Sequence, residues 1–81
     1  MALEVLVVDD EADIRELVSG VLEDEGYAVR VAANSTEALD AIESRRPSLV
    51  LLDVWLQGSR LDGLQLLEEV KARDPSLPVL M

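Results

Sequence analysis

The chain has 81 residues, 49% of them apolar and 30% charged, a globular composition with room for one domain and a modest core. It contains neither cysteine nor histidine, which excludes disulfides, thiolate chemistry and imidazole ligation, so any bound metal must be held by oxygen: Mg²⁺, Mn²⁺ or Ca²⁺ rather than zinc. The 17 acidic and 7 basic side chains give a formal net charge of −10, which repels phosphate backbones and argues against direct nucleic-acid binding by this segment.

The first element is a strand from about Leu3 to Val8, an apolar run that ends where Asp9, Asp10 and Glu11 place three acids together. A helix follows in which Ile14, Leu17, Val18, Val21 and Leu22 recur at spacings of three and four. They form an inward stripe, while Asp13, Arg15, Glu16, Glu23 and Asp24 face water. Gly26 is a fitting stop, because glycine takes the left-handed conformation at no steric cost. Tyr27 to Val31 reads as a short outer strand, closed by Ala32 and Ala33. Asn34, three residues before Glu37, then marks a helix start. That second helix runs from about Ser35 to Ser44, with Ala38, Leu39, Ala41 and Ile42 facing inward, and Pro47 prevents its continuation.

Leu49, Val50, Leu51 and Leu52 form the central strand, an unalternating apolar run of the kind covered on both faces in a parallel sheet, and it runs into the lone carboxylate of Asp53. Residues 54–60 are an irregular loop. Asp62 caps a third helix in which Leu64, Leu66, Leu67 and Val70 are expected inside and Glu68, Glu69, Lys71 and Arg73 outside. After a turn from Asp74 to Pro78, Val79 to Met81 begin a fourth strand. This alternation predicts an α/β fold, a doubly wound parallel sheet with helices on both faces and ligands at the carboxyl ends of its strands. No apolar stretch approaches the roughly 18 residues needed to cross a bilayer, and the N-terminus lacks the basic flank of a signal peptide. The expected location is the cytoplasm, with no membrane partner.

Asp9, Asp10 and Asp53 close two apolar strands that should be neighbours. Strand-end aspartates are often only turn formers, but three at one sheet edge repel one another, so either one stays protonated or a hard cation sits among them. Mg²⁺ is the better solution, since it takes oxygen ligands, keeps waters and grips phosphate. A carboxylate beside it is a nucleophile suited to phosphorus.

Val7-Val8-Asp9-Asp10-Glu11, Glu37-Ala38-Leu39, Leu51-Leu52-Asp53 and Asp62-Gly63, in this order and spacing, resemble the receiver domains of bacterial two-component response regulators along the whole chain. The resemblance implies the flavodoxin-like receiver fold with strand order 2-1-3-4. It makes Asp53 the acceptor of a phosphoryl group from a sensor histidine kinase. Asp10 would be a direct Mg²⁺ (or Mn²⁺) ligand, Asp9 would act largely through water, and the backbone carbonyl of Trp55 would be the third protein ligand. It also implies a signalling module, catalysing at most its own phosphorylation and dephosphorylation, that normally controls an attached transcription-regulating output module.

Two departures refine that expectation. Gln57 stands where most receivers have proline, and the loop to Asp62 and Gly63 carries about two extra residues, as in the nitrogen-regulation branch of the family. Residues 1–81 also correspond to the N-terminal part of a receiver only. The fifth strand and last two helices are missing, and with them the switch Thr or Ser and the phosphate-contacting Lys, so impaired phosphorylation is expected. So is a homo-oligomer formed through the fourth-strand edge and the uncovered sheet face. Two alternatives compete: a pseudo-receiver or adaptor that never takes phosphate, and a haloacid dehalogenase-type phosphatase, which expects an acid where Trp55 stands. Trp55 could also serve as a lid on the site, and Glu11 as an outer-shell metal group or a helix-dipole partner.

Overall fold

β1 spans Glu4–Val8, and its residues Val5 to Val8 are all buried, as an apolar run with no polar face requires. The structure, a computed structural model, describes residues 3–81. After β1 come α1 (Ala12–Asp24), β2 (Ala28–Ala32), α2 (Ser35–Ser44), β3 (Leu49–Leu52), α3 (Gly63–Arg73) and β4 (Val79–Leu80). The four strands make one parallel sheet, as the alternation predicts, in the order β2-β1-β3-β4 that the resemblance implies. This is the flavodoxin-like arrangement that the resemblance implies.

The two faces of the sheet differ. Leu6 and Val8 of β1 and Val50 and Leu52 of β3 point into the main core, which α2 and α3 close with Ala38, Leu39, Leu66 and Val70. Alternate residues face the α1 side, since successive strand side chains point in opposite directions. There Val5 and Val7 are buried, but Leu49 and Leu51 are only half-buried, so the expected covering of β3 on both faces holds for one face alone.

The same asymmetry corrects the reading of α1. None of its residues is buried: Val18 and Leu22 reach the sheet partway, while Leu17 is 64% and Val21 56% exposed. The helix lies over β1 and β2, and its apolar stripe is wider than the sheet surface beneath it. Val18 and Leu22 border an open apolar groove completed by Leu51 and Leu80. Leu64 likewise points to solvent, 56% exposed, because Leu66 and Val70 already fill the contact of α3 with the sheet.

The helix ends follow their sequence signals. Gly26 adopts φ +92, and its amide donates to Glu23, closing α1. Asn34 Oδ1 accepts from the Glu37 amide at 2.9 Å, although the Glu37 carboxylate reaches back to the Ala33 amide rather than to that of Asn34. Asp62 and Gln65 form a reciprocal capping box on α3. Four strand limits move by one residue: β1 starts at Glu4 rather than Leu3, β2 runs Ala28–Ala32 rather than Tyr27–Val31, and β4 ends at Leu80 rather than Met81. Pairing with β1, Glu4 with Ala28 through Val8 with Ala32, sets the β2 limits, and local propensity alone does not encode that register. At the opposite end from the acids, Arg30 of β2 donates to Glu4 at 2.9 Å and to the Ala41 carbonyl at 2.7 Å, tying the sheet to the end of α2. Arg45 pairs with the same glutamate.

Candidate functional site

Register brings the acids together. Val8 pairs with Leu52 in the parallel β1–β3 ladder, so the next residue of each strand, Asp9 and Asp53, emerges side by side at the carboxyl edge. The Asp53 amide donates to the Val8 carbonyl at 2.9 Å and the Asp9 amide to the Ala32 carbonyl at 3.1 Å, so both backbones stay anchored to the sheet where the side chains leave it. Asp9, Asp10 and Asp53 each offer a carboxylate oxygen, and these atoms lie within 4.8 Å of one another.

Asp9 is fixed further by its surroundings. Its Oδ1 accepts from the Glu11 amide at 2.9 Å, and its carbonyl accepts from Arg15 Nη1 at 2.7 Å. Arg15 looks like an ordinary solvent-side helix residue in the sequence, and only the approach of α1 to the end of β1 reveals this contact. Asp53 Oδ1 accepts from the Trp55 amide at 3.0 Å. Burial pushes the Asp53 carboxyl above its ordinary value; the Trp55 amide opposes this, and the neighbouring Asp9 and Asp10 push it further up.

A cleft of about 320 Å³ opens over these acids, lined by Asp9, Asp10, Glu11, Asp53, Trp55 and Gln57 among others. Glu11 is exposed at its rim and makes no side-chain cap on α1. The Trp55 indole is 79% exposed and stands out to solvent, so it does not close the site as a lid. A second opening beside it is bordered by Val54, Leu56 and Leu64.

Two residues shape the site in ways the sequence does not show. Leu56, inside the irregular loop, is buried in the main core and pins that loop down. Gly63 permits a close approach: a Cβ there would sit 2.5 Å from the Asp53 carbonyl oxygen and 2.6 Å from that of Val54, distances no side chain tolerates. The Asp-Gly pair opening α3 was a family signal; its steric meaning depends on how α3 meets β3.

The donor set fits a hard divalent cation. Three carboxylate oxygens within 4.8 Å of one another are hard donors close enough to share one Mg²⁺, directly or through its bound waters. Without a cation the same closeness is repulsive, which is the direction of the Asp53 shift.

Known proteins share this fold. Residues 5–81 match the family model of the response regulator receiver domain. The chain is 57% identical over 81 residues to the nitrogen assimilation regulatory protein NtrX of Azorhizobium caulinodans, covering all of this chain and 18% of that protein. It superposes on the receiver domain of NtrX from Brucella abortus with a TM-score of 0.91 at 61% identity, covering 93% of this chain and 62% of that one. The response regulator TrrA of Thermotoga maritima, crystallised with Mg²⁺ and BeF, gives 0.88 at 36% identity, covering 95% and 65%. The chain thus spans less than a fifth of the curated NtrX protein.

Proposed function

Because the chain belongs to the response regulator receiver family, we propose that it is a phosphoacceptor module of a two-component system, taking a phosphoryl group from a sensor histidine kinase onto Asp53. The convergence of three carboxylates from two strand ends within 4.8 Å carries this reading. Asp10 would bind Mg²⁺ or Mn²⁺ directly, Asp9 largely through water, with Asp53 and the Trp55 carbonyl completing the protein ligands. Bound there, the cation would neutralise charge on the phosphoryl oxygens.

The chain's own residues supply the rest. The Trp55 amide holds Asp53 Oδ1, leaving Oδ2 to attack. A bond from Oδ2 to phosphorus forms as the bond from phosphorus to the kinase imidazole breaks, and the imidazole leaves with the electron pair and takes a proton from solvent. Arg15 and the Glu11 amide keep Asp9 facing the cleft throughout. The reaction modifies the protein itself, so the module is a signalling device rather than an enzyme acting on a pool of substrate. A phosphatase of the haloacid dehalogenase type is disfavoured because Trp55 occupies the position of its second acid.

The likeness to NtrX extends the proposal to control of an attached transcription-regulating module in the cytoplasm. No helix among the described residues is long and apolar enough to cross a membrane. We also propose that the chain self-associates through β4 and the groove beside α1, where Leu80 is exposed. Phosphotransfer from a radiolabelled sensor kinase is the test. Label is expected on wild type in Mg²⁺ and absent both in EDTA and on Asp53→Asn. Label that persists on Asp53→Asn would overturn the assignment, and an unlabelled wild type would favour an adaptor that binds without phosphoryl transfer.

A further inference from the structure

Among the described residues Ser35 is the one polar side chain that is fully buried, 0% exposed, and it is spent on neither the acids nor the core. It sits in the first turn of α2, where backbone amides lack partners inside the helix. Its amide donates across to Ser59 Oγ at 2.8 Å, and its own Oγ accepts from the Leu61 amide at 3.1 Å. Two bonds running in opposite directions therefore join α2 to the far end of the β3–α3 loop.

The near end of that loop is held at the acids by the bond from the Trp55 amide to Asp53. Between these fixed ends Leu56 plugs into the core, and Gly58, at φ +64, lets the chain reverse. Val54, Trp55, Gln57 and Gly58 are exposed and have little packing of their own to order them. Release of the far end would multiply the conformers open to the residue 55 carbonyl, and a metal would have to restore order on binding.

We infer that Ser35 and Ser59 form a latch that positions the Trp55 segment against the acidic cluster, making both serines positioning residues for divalent-metal binding. The inference rests on the metal reading of Asp9, Asp10 and Asp53 given above. Neither serine touches the ion; each acts through the loop. The two extra loop residues noted in the sequence lie in the stretch that the latch restrains.

The test is a Mg²⁺ titration of the 81-residue chain followed by Trp55 emission and, in parallel, by the shift in melting temperature. Ser59→Thr and Ser59→Val have the same shape and differ by the hydroxyl alone, so a purely steric role treats them alike. Ser59→Val and Ser35→Ala are expected to weaken Mg²⁺ binding about three- to tenfold, while Ser59→Thr stays within about twofold of wild type. If Ser35→Ala does not fold, the Ser59 pair decides. Equal affinities for the Thr and Val variants, in a wild type that responds to Mg²⁺, overturn the latch alone. A wild type silent in both emission and melting overturns the metal reading, and the latch's role falls with it.

Discussion

Asp53→Asn should stabilise the metal-free protein at pH 7 even though it removes the proposed phosphoacceptor. Asparagine keeps an oxygen for the Trp55 amide and loses only the charge. At separations of up to 4.8 Å from Asp9 and Asp10, Coulomb's law gives about 1 kcal/mol of repulsion per pair at a dielectric of about 80 and about 3.5 kcal/mol at about 20. The site opens to solvent through its cleft, which places the pair near the lower figure. Relief of two such pairs is therefore worth about 1 to 2 kcal/mol after screening, or about 5 to 15 °C in a domain of this size. The pH dependence carries its own sign. Asp53 in the folded protein titrates above its ordinary value of 3.8, so the folded state holds the proton more firmly than the unfolded one. Stability from this group is present below 3.8 and is lost as pH rises through the raised folded value. The asparagine variant should thus gain most at neutral pH and nothing near pH 3, and saturating Mg²⁺ should shrink the gap by stabilising wild type selectively. Thermal melts by circular dichroism in EDTA and in Mg²⁺, from pH 3 to 7, measure all of this. If the variant melts at or below wild type at pH 7 in EDTA, or keeps the same advantage at pH 3, electrostatic crowding is not what governs this edge.

Three further outcomes follow from other contacts. Arg30→Ala should cost about 1 to 2 kcal/mol in urea denaturation, since it removes bonds to both Glu4 and the Ala41 carbonyl, whereas Arg45→Ala, whose side chain is 68% exposed, should cost far less. The bond from Arg45, opposed by burial and aided by Arg30, holds the Glu4 carboxyl below its ordinary 4.5, so this contribution is complete above pH 4.5 and disappears as pH falls through the lower folded value. Gly63→Ala should destabilise by about 2 kcal/mol or more and weaken Mg²⁺ binding, because the new methyl displaces the Asp53 and Val54 carbonyls; a melt and a titration matching wild type would contradict that. Leu80→Lys should lower the mass seen by light scattering at micromolar concentration if the 81-residue chain pairs through β4; a wild type that is already monomeric would refute the pairing.

Periodicity and punctuation were enough to place every element. The apolar runs before Asp9 and Asp53, the Asn34 and Asp62 caps, Gly26 and Pro47 are local instructions, each acting within a few residues of itself. The acids were legible for the same reason: an aspartate that ends a buried run must lie at the edge of whatever sheet the run enters. Tertiary structure decided what depends on partners distant in the chain. The β1–β3 register set the spacing of Asp9 and Asp53. The width of the sheet under α1 left Leu17 and Val21 exposed despite a sound amphipathic pattern. The contacts of Arg15 with Asp9, of Ser35 with Ser59, and of Gly63 with the end of β3 arise only once helices and strands meet. A one-dimensional pattern specifies which face of an element is apolar, but the shape of the surface it meets, and hence which side chains are covered or tied together, is fixed by long-range packing.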